Sequence, residues 1–319
     1  MPVTDQHLLC TSQDTNTWLG YSYQQDIDDC LQAIKNFNQT SKNRSIDYEE
    51  SIIDLLIIDH YGIDYQWEQQ IKKFYPIKEI MVIDDIFNRN HYCDYLLDHS
   101  FYSNNPYQKL MINPDTKFFL GPQFAMVDLA FWNYRKTRNP ITGLNRIQIS
   151  FGGTDIGQQT IKVLKLLIKH FPDLIKRIEI DIILGIRSAS VEEINKIASE
   201  HHNINLYQSV PIEKMAELLS QTDLVIGGGG VSSYERCCLG VPSIVITVAD
   251  NQVPNTKILY SKGIIKYLGM YYRWKPEDLI SAINNFCQNQ ELLKYQKRCL
   301  NLLPINGLQK ILIPSLIKK

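Results

Sequence analysis

Short apolar runs rich in Ile, Leu and Val alternate along the chain with stretches whose apolar residues recur at helical spacing. In the first half, DLLIIDH (Asp54 to His60) and EIMVIDD (Glu79 to Asp85) read as buried strands, with the amphipathic YQWEQQIKKFY between them as a helix. KFFLG (Lys117 to Gly121) is a weaker strand candidate. Farther on the pattern is denser: IQISFGG, a helix through TIKVLKLLIKHF, RIEIDIILG, a helix through VEEINKIASEH, INLYQ, a helix through IEKMAELLS, DLVIGGGG, a helix from Ser232, and SIVITVA. Two more helical patterns, EDLISAINNFCQ and ELLKYQKRCLNLL, follow Pro276. Runs that are apolar throughout belong to parallel strands covered by crossover helices, so the expected class is α/β.

Between the two halves, NYRKTRNPITGLNR (Asn133 to Arg146) combines four basic residues with Pro140 and Gly143 and has no apolar period. It reads as an interdomain linker. The expected division is therefore 1–132, a linker over 133–146, and 147–319. The carboxyl-terminal half supplies a full doubly wound pattern, whereas the amino-terminal half is short by a strand and a helix. The stretch NQTSKNRSIDYEES (Asn38 to Ser51) reads as a polar surface loop.

The length of 319 residues suits two such domains, and 44% hydrophobic residues suffice for two cores. Thirty-three Lys plus Arg against thirty-four Asp plus Glu leave a net charge of −1. No overall positive field draws the chain to nucleic acid, so an anionic ligand needs a local site. The seven cysteines are scattered without a C-x-x-C pair, which suggests neither a disulfide framework nor a zinc site. No run approaches the roughly 20 apolar residues that span a bilayer, and MPVTDQHLLC lacks the pattern of a secretory leader. The expected location is the cytoplasm.

The chemistry concentrates in DLVIGGGGVSSYERCCLGVPSIVITVADNQ, from Asp223 to Gln252. It passes from a strand through Gly227, Gly228, Gly229 and Gly230 into a helix whose first turn carries Ser232, Ser233 and Glu235. Bare glycine backbone and a helix N-terminus together suit a phosphate; a plain tight turn is the alternative. Neither a P-loop lysine nor a G-x-G-x-x-G spacing is present. Glu235 suits a ribose diol, or else simply favours the helix dipole. A second glycine turn, SFGGTD (Ser150 to Asp155), offers Gly152, Gly153 and Thr154 to a diphosphate or sugar, or is a turn with Thr154 or Asp155 as N-cap. Cys237 and Cys238 read as packing residues. Asp59, His60 and Tyr61 read as a polar strand terminus.

The run GGGGVSSYERCCLGVPSIVITVADNQ, with SFGGTD, DLLIIDHYGID and VIDDIFNRNHYCDYLLDHSFY, resembles the UDP-2,4-diacetamido-2,4,6-trideoxy-β-L-altropyranose hydrolases of pseudaminic acid biosynthesis, from about Trp18 almost to the carboxyl end. More distantly the chain is similar to the two-domain GT-B glycosyltransferases. The resemblance implies two Rossmann-like domains of GT-B type, the first lacking its initial strand and helix, and a UDP-sugar substrate. It implies that Glu235 binds ribose, that Gly228, Gly229, Gly230, Ser232 and Ser233 bind the pyrophosphate, and that Asn251 and Gln252 reach the sugar or the reacting water. Tyr61 would project towards the anomeric centre, and Asp84 and Asp85 would be structural or peripheral. No metal and no cofactor are expected, nor a nucleic-acid partner or membrane insertion.

The implied reaction is water attack at C1 with departure of UDP, in the synthesis of a nonulosonic acid used on surface glycans such as those of flagellin. The alternatives are a GT-B glycosyltransferase and a non-catalytic UDP-sugar-binding remnant. The family's proton acceptor is a His in a G-x-G-H-x-x-R turn, which this sequence does not contain; neither His7 nor His60 sits in a matching motif. The segment is expected upstream of Met1 or in a protein partner that completes the amino-terminal domain, unless the chain is a shortened remnant.

Overall fold

The computed structural model of the protein describes residues 19–20, 22–42, 52–102, 104–186 and 188–304. His7, Trp18 and residues 43–51 of the polar stretch lie outside them, while 38–42 of that stretch complete a helix. The chain forms two compact units, the first ending at Phe124 and the second starting at Ala125. This division falls earlier than the expected one.

In the first unit the helix α1 (Tyr23–Lys42) precedes β1 (Ile53–Ile58), α2 (Tyr65–Phe74), β2 (Ile77–Ile83), β3 (Tyr95–Asp98) and β4 (Lys117–Leu120). The four strands are parallel and adjacent in chain order, β1-β2-β3-β4, so β1 lies at an edge among the described residues. Ile57 on that strand is 55% exposed. Asp64 starts α2 by accepting from the Gln66 amide at 2.9 Å. Trp67 and Ile71 of α2 join Ile27, Ile80, Val82 and Leu96 in the core.

The second unit begins with α3 (Leu129–Thr137) and continues β5 (Arg146–Ser150), α4 (Gln159–His170), β6 (Glu179–Leu184), α5 (Val191–Glu200), β7 (Ile204–Gln208), α6 (Ile212–Ser220), β8 (Leu224–Gly227), α7 (Ser232–Leu239), β9 (Ser243–Thr247), α8 (Val253–Ser261), β10 (Lys266–Met270), α9 (Pro276–Phe286) and α10 (Asn289–Leu302). Its six parallel strands are ordered β10-β9-β8-β5-β6-β7. The order reverses between β5 and β8, which makes a doubly wound sheet with its crevice at the carboxyl ends of those two strands. Ile147, Ile149, Leu224, Ile226, Ile244 and Ile246 from the central strands share one buried core with helices on the sheet.

The segment expected as a linker is not one at its start. Residues 133–137 complete α3, and two of the basic side chains, Arg135 and Arg138, cap helix ends while Lys136 faces solvent. Arg135 donates to the carbonyls of Cys238 (3.2 Å) and Leu300 (3.1 Å), in the last turns of α7 and α10. Arg138 donates to Leu219 (2.9 Å), Ser220 (3.0 Å) and Thr222 (2.6 Å), at and just beyond the end of α6. Helix C-termini leave carbonyls unpaired and attract cations, which explains basic residues without an apolar period. Burial lowers the Arg138 guanidinium to about 10.

Candidate nucleotide site at the strand reversal

A cavity of about 190 Å³ opens where the strand order of the second unit reverses. Ser150, Phe151 and Gly152 border it from the end of β5, Gly228 and Gly229 from the end of β8, and Ser232, Glu235 and Arg236 from α7. Met215 and Leu219 of α6 give it an apolar wall, and Gln148 and Gln252 add amides. Sequence spacing brought Gly152, Gly228, Gly229, Ser232 and Glu235 to attention and the resemblance added Gln252; the fold gathers these six here.

The glycine turn owes its shape to two of its members. A Cβ on Gly229 would lie 2.7 Å from Thr256 Oγ1 and 3.2 Å from Gln252 Cβ, so the backbone passes too close for a side chain. Gly230 has φ +92, a conformation that favours glycine. At Gly228 the nearest atom to an added Cβ is 3.9 Å away, ordinary van der Waals contact, so a side chain there meets no clash.

The amides of the turn divide sharply. That of Gly228 donates to the Ser150 carbonyl at 3.1 Å, extending the ladder between β8 and β5, and that of Ser233 donates to Gly230 at 3.0 Å. Those of Gly229, Gly230, Val231 and Ser232 have no hydrogen-bond partner among the described residues. Free donors at a helix N-terminus are the kind of arrangement that suits an anion, and of these Gly229 and Ser232 border the cavity. The Gly228 amide is therefore spent. Ser233 is buried and its hydroxyl accepts from Arg236 Nη2 at 2.8 Å, so that hydroxyl serves the protein's own framework.

Glu235 stands half-buried on the first turn of α7. Burial pushes its carboxyl above the ordinary range; the neighbouring Arg236 opposes the shift and Asp128 adds to it. Gln252 is fixed by accepting from the Val248 amide at 3.0 Å. Asn251 is exposed and does not line the cavity. Gly153 and Thr154 are exposed beyond it; the N-cap of α4 is Gln158, neither Thr154 nor Asp155, although the Asp155 side chain accepts from the Thr160 amide at 3.1 Å.

Tyr61 lies in the first unit, past the end of β1, and donates to Asp85 Oδ1 at 2.7 Å. The Asp85 carboxyl is raised mainly by burial, against the pull of that hydrogen bond. Asp84 is fully engaged otherwise, pairing with Arg89 at 2.7 Å and accepting from the Phe87 amide. His60 Nδ1 accepts from the Gly62 amide at 3.1 Å, a turn-forming role. Cys237 and Cys238 are buried packing residues. Among the described residues no group of three or more His, Cys, Asp or Glu is placed to hold a metal ion, and no helix is long and apolar enough to cross a membrane.

With this geometry in place, the glycosyltransferase family 28 C-terminal domain matches residues 151–310, half of the chain. The chain belongs to that family. It is 27% identical over 229 residues to the Methanocaldococcus jannaschii protein MJ1062, 69% of this chain but only 43% of that protein. It is 23% identical to the Bacillus subtilis spore coat polysaccharide biosynthesis protein SpsG, over 75% of this chain and 69% of that one. It is 25% identical to the Campylobacter jejuni UDP-2,4-diacetamido-2,4,6-trideoxy-β-L-altropyranose hydrolase, over 67% of this chain and 74% of that one. The S. aureus MnaA co-structure with UDP superposes with a TM-score of 0.58 at 10% identity, covering 94% of this chain and 84% of that one. The fold class is thus α/β with parallel sheets, of the GT-B type.

The sequence reading missed Arg236. Its signal was present: it follows Ser233 by three positions on a helix whose neighbouring residues Cys237, Cys238 and Leu239 are apolar, so a charge there falls on a buried face.

Proposed function

We propose that this protein hydrolyses a UDP-linked 2,4-diacetamido-2,4,6-trideoxy sugar at its anomeric carbon, in the cytoplasm, as a step towards a nonulosonic acid of a surface glycan. The observation that carries the reading is the row of four unpartnered amides, Gly229 to Ser232, beside Glu235 at the strand reversal. The cavity is smaller than the roughly 300–1,000 Å³ of whole-ligand pockets. It takes one end of the nucleotide against Phe151, Met215 and Leu219, with the ribose diol on Glu235 and the diphosphate along the free amides. Gly152, Gly153, Thr154 and Gln252 contact the sugar side.

In the reaction water adds to C1, the bond from C1 to the phosphate oxygen breaks with its electron pair leaving on UDP, and the water proton passes to a base. Diphosphate is already a good leaving group, so aligned amides that take up its charge lower the barrier without a metal ion. Tyr61 and Asn251 act at the reacting centre, Tyr61 with its hydroxyl held by Asp85. The Campylobacter relative's name supports the hydrolase reading, while the family's name favours a second, transfer of the sugar to an acceptor. Incubation with the sugar nucleotide in ¹⁸O-labelled water separates them. The hydrolase releases UDP without an acceptor and places the label in the sugar; label in UDP, or release only with an acceptor, refutes it. UDP binding without turnover identifies a binding protein.

A further inference from the structure

Arg236 is a buried cation whose hydrogen-bond partners are both neutral. Its side chain lines the cavity, and the residue is 3% exposed. Nη2 donates to the Gly228 carbonyl at 2.7 Å and to Ser233 Oγ at 2.8 Å, both neutral acceptors. Nε has no hydrogen-bond partner, and among the described residues Arg236 forms no ion pair. The adjacent acid, Glu235, interacts with the Arg236 charge through space but makes no ion pair with it. A guanidinium enclosed among neutral partners is expensive, and a neutral amide would satisfy the same two acceptors at lower cost. The charge is explained by a negative group that arrives from outside.

We propose that Arg236 is the fixed counter-charge of the glycine turn, a positioning residue that gives the site its preference for a nucleoside diphosphate over the uncharged nucleoside. Two effects combine. The guanidinium draws the Gly228 carbonyl to itself, leaving the amides of Gly229 to Ser232 facing the ligand. Its field, in a setting with little water, adds to the helix dipole at the same place. This inference rests on the nucleotide reading of the turn.

Calorimetric titrations of UDP, UMP and uridine into wild type, Arg236→Met and Arg236→Lys test it, each at low and moderate salt. Arg236→Met should weaken UDP roughly 10- to 100-fold, the range for a charge-assisted contact. UMP should weaken less and uridine by less than about twofold, and the salt dependence of UDP binding should flatten. Arg236→Lys, which keeps the charge and loses the fork, should recover most of the UDP affinity. Equal weakening of UDP and uridine, or an unchanged UDP affinity, overturns the assignment. Should Arg236→Met fail to fold, the lysine variant and the wild-type salt dependence decide: UDP and uridine binding that respond equally to salt refute the counter-charge. Absence of UDP binding by wild type instead removes the nucleotide reading itself.

Discussion

Replacing Glu235 by Gln separates binding from folding at one position. The carboxyl lies half-buried on the first turn of α7, and burial raises its pKa against the opposing influence of Arg236. A group whose folded pKa lies above its unfolded value contributes stability below the unfolded pKa and loses it as the pH rises through the folded one. At neutral pH the ionised carboxylate therefore works against the fold. Gln keeps the shape and removes the charge, so thermal unfolding at neutral pH should occur at the same or a higher temperature, with the difference from wild type disappearing at about pH 4. Binding should move the other way. If the carboxylate accepts the ribose hydroxyls, losing charge-assisted bonds worth about 1.5–3 kcal/mol weakens UDP roughly 10- to 100-fold. The ratio of UDP to 2′-deoxy-UDP affinity should collapse with it. Wild-type affinity should itself decline on acidification, beginning above the pH at which an ordinary glutamate titrates. Calorimetry with both nucleotides and unfolding curves at two pH values provide the measurements. A Glu235→Gln protein that melts lower at neutral pH yet retains the nucleotide ratio would show that the residue only complements the helix dipole.

Gly229→Ala should cost roughly 1–3 kcal/mol in chemical denaturation, because its Cβ meets Thr256 Oγ1 at 2.7 Å. Gly228→Ala, with nothing nearer than 3.9 Å, should fold within roughly 1 kcal/mol of wild type yet lose UDP affinity by narrowing the cavity; unaltered UDP binding would argue against the ligand's placement. Arg138→Ala strips three carbonyls of their donor and should destabilise by roughly 2–4 kcal/mol, read as a lower denaturation midpoint. Tyr61→Phe, which removes the bond to Asp85, should slow UDP release roughly 10²-fold while leaving UDP affinity unchanged, and an equal loss in both would contradict the division of labour.

Much of this architecture can be read from residue order, and the exceptions have physical causes. The buried strands β5, β6, β8 and β9 announce themselves as apolar runs because both faces are covered. Strand β3 escaped notice because its apolar pair Leu96 and Leu97 is set among Asp94, Asp98 and His99, which break the run. Strand β10 is half-buried throughout, and Gly269 at φ +116 breaks its register against β9. Helix α3 was hidden by the basic run around Arg135 and Arg138, whose charge reads as solvent exposure until the helix ends they serve are known. At the site, the glycine turns and Glu235 are local features and legible. Which amides remain free is not, since Gly228 loses its donor to Ser150, a residue far away in the chain and adjacent only in the sheet. Met215 and Leu219 likewise join the cavity through tertiary packing alone.

Arg135 of α3 and Arg138 at its C-cap give the entry into the second unit a mechanical meaning. The chain enters the second unit through a helix fastened to the last turns of α6, α7 and α10, so it has no slack at that point. Two of those helices carry Met215, Leu219, Ser232 and Glu235. Tension or torque on the backbone at Ala125 would thus be delivered to the walls of the cavity, and residues that do not border it acquire leverage over its shape.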